Sequence, residues 1–349
     1  MKYKTSQPRS FFDEEFRLEK LTVQKDPLLK LKERIDFELF RPLPEEAFHN
    51  DEKGTGGARA YDYVLMFKIL ILQRYYNIGD DKMEFQILDR LSFMRFLELT
   101  LSDKVPDAKT IWLFRENLSN KNISEKLFAL FMEVLKKKGL LLNEGKIIDA
   151  SFVEVPIQRN GREENKQIKE GKTPDQWKEN PHKLSQKDTD ARRTKKNGKS
   201  YYGYKDPVKT DKKSKLIDSY TVTDAGVHDS QQTANLLTGN DKGQALHADS
   251  AYSGDPIAEI VEEKEMINQI HEKGYKNKPL TDEQKASNKI KSKTRARVEH
   301  IFGFIENSMN GSFIRSIGII RATAIIGLMN LTYNMFRYMQ LVSPNSGYA

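Results

Sequence analysis

The spacing of apolar residues changes once along this chain, and that change constrains the fold more than any other feature. From Tyr61 to about Leu142 apolar side chains recur every three to four positions: Val64, Phe67 and Ile71, then Phe85, Leu88 and Leu91, then Leu127, Leu130, Phe131, Val134 and Leu135. One face of an α-helix repeats at that interval, because the helix turns every 3.6 residues. Beyond Gly139 the rhythm yields to short runs that read as strands: Gly145–Asp149, Tyr201–Val208, Leu216–Val222, Gln244–Ala248 and Met266–His271. Helical spacing returns at Ser230–Leu237, Pro256–Lys264, Arg295–Asn310 and Arg321–Leu341. This alternation predicts an α/β domain with a mixed sheet and flanking helices, preceded by an all-α domain of four or five helices.

Residues 1–60 form a polar arm, with Pro42, Pro44 and the Gly54, Gly56, Gly57 stretch breaking any pattern. The helical domain then covers 61–142 and the α/β domain 143–341, leaving a tail at 342–349. A polar, basic insertion at about 158–200 interrupts the α/β domain. No internal repeat is visible.

Among the 349 residues there is no cysteine, which excludes disulfides, thiolate nucleophiles and zinc fingers and suits a reducing cytoplasm. None of the six histidines stands at metal-binding spacing from another. The two most apolar stretches, Tyr63–Leu72 and Ala322–Met335, fall short of the roughly 18 apolar residues of a membrane span. The N-terminus shows no secretory signal, so a cytoplasmic protein without a membrane partner is expected.

The net charge is +8, and the stretch from Gln158 to Lys215 holds 18 lysines and arginines against 9 acidic residues. That one stretch accounts for the whole excess, which points to a polyanionic partner such as double-stranded DNA. Arg192, Arg193, Lys195, Lys196 and Lys205 are its candidate phosphate contacts, and Trp177, Tyr201, Tyr202 and Tyr204 could stack on exposed bases. A solvated loop explains the same composition. Alternation places Tyr202 and Tyr204 on one strand face, Tyr201 and Lys205 on the other.

In the helical domain, a helix near Phe93–Leu101, a turn and a helix capped by Asp107 suit helix-turn-helix contact through Lys109 and Arg115. Plain helical packing explains that pattern equally well.

Three carboxylates carry the chemistry. Asp149 and Asp249 close strand-like runs, and Glu299 lies on a helix beside the apolar face of Val298, Ile301, Phe302 and Ile305. Phosphodiester cleavage builds negative charge on the attacking, leaving and non-bridging oxygens, which two Mg²⁺ ions about 4 Å apart can stabilise. Mg²⁺ prefers carboxylate oxygens, so three acids from three elements suit such a site. Taken singly, the aspartates could be turn or cap residues and the glutamate merely solvated. Arg295, one turn before Glu299, could orient its carboxylate or bind a phosphate bidentately. His228 precedes a predicted helix whose cap is Asp229 or Ser230; the competing reading places His228 near the scissile phosphate.

Several ordered phrases closely resemble the transposases of the IS5 insertion-sequence family: Gln186–Arg192, Lys195–Lys205, Val222–Ser230, Ala248–Tyr252 and Arg297–Gly303. The resemblance runs from roughly Tyr61 to the end. It implies an RNase H-like catalytic domain with Asp149, Asp249 and Glu299 as the acidic, metal-holding triad, served by two Mg²⁺ ions for which Mn²⁺ can substitute. It further implies binding of terminal inverted repeats, strand cleavage by water and attack of the freed 3′-hydroxyl on target DNA, in an assembly of at least two copies near the prokaryotic nucleoid. The Tyr-Arg-Glu-Lys signature of related transposases matches at Arg295 and Glu299, but Ser292 and Glu306 occupy the tyrosine and lysine positions. Lys291, Lys293 and Arg297 are candidates to replace the missing contacts. A nuclease without strand transfer, or a DNA-binding regulator with an idle site, remain the alternatives.

Overall fold

The computed structural model describes residues 10–48, 59–196 and 198–343. The glycine stretch at 54–57, the first nine residues and most of the expected tail lie outside them. The segment read as a polar arm carries three helices: α1 (Asp13–Val23), α2 (Pro27–Arg34) and α3 (Pro42–Phe48). Asp26 caps α2 through the Leu28 amide, with Pro27 in the first turn where its missing N–H costs nothing. Leu28, Leu31, Phe37, Phe40 and Phe48 are buried, so most of this segment is part of the core wall rather than a free arm.

Five further helices follow: α4 (Tyr63–Tyr76), α5 (Asp80–Asp89), α6 (Leu91–Leu97), α7 (Ala108–Asn120) and α8 (Ile123–Lys137). Asp62 caps α4 and Asp107 caps α7 with their carboxylates. α4 is buried almost all round, as a helix apolar on every face must be. On α5 the expected stripe is wrong: Met83 and Ile87 are buried, whereas Phe85 and Leu88 are more than half exposed. Both stripes fit helical spacing, and packing against α6 and α7 selected the other one.

The sheet contains β1 (Lys146–Glu154), β2 (Arg192–Lys196), β3 (Lys199–Asp211), β4 (Ile217–Tyr220), β5 (Thr223–Asp224), β6 (Ala245–His247) and β7 (Ile267–Asn268). Its order is β2-β3-β1-β6-β7, with β4 and β5 also paired to β3. β3 lies antiparallel to β1 and β4, while β6 and β7 run parallel to β1. The insertion is not patternless: it folds into α9 (Arg162–Lys169), α10 (Asp175–Lys178) and α11 (Pro181–Ser185) around the buried Trp177, then enters β2. Gly203 sits where β1, β2 and β5 all meet β3. Its φ is +149°, and a Cβ there would lie 2.3 Å from the Val153 carbonyl, so only glycine fits.

α12 (Thr233–Leu236) and α13 (Asp255–Glu263) cover one face of the sheet with Ile148, Leu246 and Ala248. On the other face lie α14 (Asp282–Gly303) and α15 (Ile319–Leu341). α14 begins well before the expected Arg295, behind a Thr281–Gln284 capping box, and ends in a single π turn at Phe304–Ser308.

α15 is buried along most of its length, between the N-terminal helices and β3–β4. Each large apolar side chain sequestered there contributes about 1.5–3 kcal/mol. Its Asn334 side chain accepts from the Ile217 amide at 2.9 Å and donates to the Ile217 carbonyl at 2.8 Å, completing the edge of β4. One hydrophobic core therefore runs from Leu28 to Leu341 through both expected domains.

At the start of β1 sits a closed ionic cluster. Lys209 reaches Asp241 at 2.7 Å and Asp218 at 3.2 Å, and Lys146 reaches Asp218 at 3.0 Å. All four side chains are nearly inaccessible. Burial pushes the Asp218 carboxyl up, but Lys209 and Lys146 together hold it below the usual range.

Candidate active site

Strand parity brings two of the predicted carboxylates to one place. β1 and β6 pair in parallel with Ile147 opposite His247, the last residue of β6; Asp249 follows two residues beyond, near enough for its charge to act on Asp149. Ile148 and Ala248 point into the core beneath α13. Asp149 and Asp249, one residue out of phase with them, face the side where α14 packs. Asp149 lies within β1 rather than at its end, because the strand continues to Glu154. Asp249 does follow its strand, and its Oδ1 accepts from the Ala251 amide at 2.8 Å to cap the one-turn helix Ser250–Tyr252.

Glu299 joins them through an arginine. Arg295 donates from Nη1 to Asp149 Oδ2 at 2.9 Å and from Nη2 to Glu299 Oε1 at 3.2 Å. The helical i, i+4 relation puts both residues on one side of α14, and Val298 and Ile301 anchor the adjacent face in the core.

Burial pushes the Asp149 carboxyl up to about 6, and the nearby charge of Asp249 adds to that. The Ala150 amide, Arg295 and Lys196 oppose the rise. A buried acid raised by a like charge is short of positive partners, and hard oxygen donors suit a divalent cation there. Yet among the described residues no three His, Asp or Glu side chains stand grouped to hold a metal ion. Asp149 and Asp249 fit such a cation by donor type and position. Glu299 is tied to Arg295.

Around these acids the sequence left Tyr252 and His271 unassigned and read Asp229 only as a helix cap. Tyr252 is buried beside Asp149, Asp229 and Asp249; burial and those charges hold its phenol well above the usual range, and its hydroxyl has no hydrogen-bond partner among the described residues. Asp229 is buried and ion-paired to Lys205 at 2.7 Å. His271 lies 3.5 Å from the Ser292 hydroxyl; burial holds its ring below the usual histidine range, with Asp249 pulling the other way. The phrase Ala248–Tyr252 carries the family resemblance, but within it only the aspartate was given a role.

The predicted DNA contacts divide. Lys109, Arg193, Lys195, Lys196 and Lys293 are exposed. Tyr204 is fully buried, its hydroxyl donating to Asp188 at 2.8 Å, so it cannot stack on a base. Trp177 is equally interior, with Nε1 bonded to Glu164 at 2.6 Å. Lys205 is buried and bonded to Asp229 and to the Val227 carbonyl at 2.6 Å. Arg115 forks onto Asp80, Arg192 onto the carbonyls of Thr189, Ala191 and Ile168, and Arg297 onto the Lys212 carbonyl at 3.0 Å. Lys291 reaches the Ile270 carbonyl at 2.8 Å.

In these cases the fold consumes the donors that charge counting assigned to DNA. Tyr201 keeps its expected face, stacked on Phe152 at 4.1 Å. His228 is itself the cap of the helix that follows it, with Nδ1 2.8 Å from the Ser230 hydroxyl.

Residues 142–335 match the family described as Transposase DDE domain, and residues 16–117 match the Transposase domain (DUF772). The chain belongs to the DDE transposase family. It is a DNA transposase, and its mixed sheet, with β4, β3 and β1 antiparallel and β6 and β7 parallel to β1, is the RNase H-like arrangement of that fold. A cryo-EM structure of a piggyBac transposase synaptic complex with hairpin DNA aligns with 89% of this transposase and 74% of that chain, at a TM-score of 0.44 and 12% identity. Membership implies dependence on a divalent metal and DNA as partner. No helix among the described residues is long and apolar enough to cross a membrane.

Proposed function

We propose that this transposase binds the inverted repeats at the ends of an insertion sequence of the IS5 type, cleaves there and joins the freed 3′-hydroxyl to target DNA. Asp149, Asp249 and Glu299 are the catalytic acids and would hold two Mg²⁺ ions, with Mn²⁺ able to replace them. The observation that carries this reading is Asp149 on β1 with Asp249 just beyond the end of the adjacent parallel strand β6, and Glu299 linked to Asp149 through one guanidinium.

Two bound cations would stabilise the charge that accumulates on the attacking and leaving oxygens. The chain's own residues set the stage for that. α14 carries Glu299 to the sheet, and burial under α13 fixes the register of the two aspartates. Lys196 lends positive potential to Asp149 from the β2–β3 ribbon.

Exposed Arg193, Lys195 and Lys196 on that ribbon, and Lys293 on α14, would hold backbone phosphates on either side of the acids. Lys109 offers a further contact from α7. Two transposon ends must meet in one complex, so the working form is a dimer or larger, located with the nucleoid in the cytoplasm.

Mg²⁺-dependent joining of a pre-cleaved end to plasmid DNA tests the reading. Joined product that disappears in Asp149→Asn supports it. Cleavage without joining identifies a nuclease, and DNA binding with neither activity an idle regulator.

A further inference from the structure

We propose that Arg295 makes cation loading at the acidic site depend on DNA, by holding Asp149 and Glu299 together until a backbone phosphate draws its guanidinium away. The inference rests on the reading of those acids as metal ligands and adds a positioning role for Arg295.

The two states compete for the same oxygens. Asp149 Oδ1 already accepts from the Ala150 amide at 2.9 Å, and Oδ2 takes Arg295 Nη1 at 2.9 Å. Glu299 Oε1 takes Nη2 at 3.2 Å. A divalent cation approaching these oxygens meets a fixed positive charge and finds each Asp149 oxygen already accepting one hydrogen bond. Removing the guanidinium removes both obstacles.

The arginine also has reason to leave. Its Nε is buried without a hydrogen-bond partner, so the present pose satisfies the fork only in part. A phosphate accepts two parallel N–H bonds from one guanidinium and would engage it more completely. The side chain is 25% exposed and that of Glu299 62% exposed, so the exchange occurs at the surface without repacking the core.

Linkage then requires that DNA raise cation affinity by the factor by which the cation raises DNA affinity. A free transposase would load metal poorly and be restrained from nicking.

The experiment is Mn²⁺ titration of the full chain, followed by electron paramagnetic resonance, with and without a saturating short duplex of arbitrary sequence at low salt. Binding is counted as the part lost in the Asp149→Asn, Asp249→Asn double variant, which also removes Mn²⁺ held by the duplex. Arg295→Gln should bind Mn²⁺ roughly tenfold more tightly than the parent without DNA, and the gap should close when DNA is present. Arg295→Lys, which cannot span both carboxylates, should fall between them.

Equal affinity of parent and Arg295→Gln without DNA, or a gap that DNA leaves unchanged, overturns the coupling while the ligand assignment stands. Mn²⁺ binding indifferent to the double aspartate variant in every background overturns the ligand assignment itself.

Discussion

Two charged clusters sit on the same sheet, and they are built to opposite rules. At the start of β1, Lys146 and Lys209 face Asp218 and Asp241 in a nearly closed quartet of two cations and two anions. Three residues along β1, Asp149 stands with Asp249 and Glu299 against one Arg295. The first cluster balances its charge within itself. The second carries an excess of acid, a carboxyl raised by burial and a single cation shared between two partners. Buried charge that is balanced holds a fold together, whereas buried charge left in excess is a demand for something from outside.

That contrast is broken most directly at the acidic end. Asp149→Asn or Asp249→Asn should lower strand cleavage by at least about a thousandfold, as the loss of several kcal/mol of transition-state stabilisation implies. Gel-shift affinity for DNA should stay near that of the parent. If either variant cuts DNA at the parental rate, the two clusters do not differ in function.

At the balanced end the expected damage is to stability alone. Asp241→Ala strips Lys209 of its closest partner and leaves a buried charge uncompensated, a cost of about 3–5 kcal/mol. Urea unfolding should show that loss, and the protein that remains folded should retain cleavage activity. Selective loss of cleavage at unchanged stability would give the quartet a catalytic part.

Another buried acid lies between the two rules. Asp206 on β3 is fully inaccessible, accepts from Asn330 on α15 at 3.1 Å and has no ion-pair partner among the described residues; burial pushes its carboxyl up to about 7. Between about pH 4 and 7 the folded chain keeps a proton that the unfolded chain releases, so stability falls as pH rises through that window. Asp206→Asn should remove this slope and stabilise the protein at pH 7.5 by on the order of 2–4 kcal/mol. At pH 4 the two proteins should unfold alike. Thermal denaturation at the two pH values measures both.

The smallest effects belong to the exposed cations. Arg193→Ala and Lys195→Ala should each weaken DNA binding and flatten the slope of log affinity against log salt by about 0.9. Lys205→Ala should instead cost stability, because that ammonium is committed to Asp229. An unchanged salt slope in Arg193→Ala would remove the ribbon from the DNA path.

Much of this was legible from the residues. Helical spacing located α4, α8 and α15, and the short runs after Gly139 fell on β1, β3, β4 and β6. Fitting a stripe to α5 failed because Phe85–Leu88 and Met83–Ile87 both recur at helical intervals, and only the neighbouring helices select one. The N-terminal helices were read as polar because most of their surface is polar, although a few aromatic and leucine side chains suffice to bind them to α6, α8 and α15. In the insertion the same high charge concealed three short helices around Trp177.

Composition and spacing alone determined that this chain is a helical region followed by an α/β domain, and that it carries its positive charge in one segment. The tertiary structure decided which charges are free to act. Tyr204, Lys205, Arg115, Arg192 and Arg297 look in sequence like Arg193 and Lys195, but burial and partners distant in the chain take up their donors. The bridge from Arg295 to Asp149 spans 146 residues of sequence. Periodicity reports which face of an element is apolar; pairing energies depend on distance and desolvation, and those exist only once the chain has closed on itself.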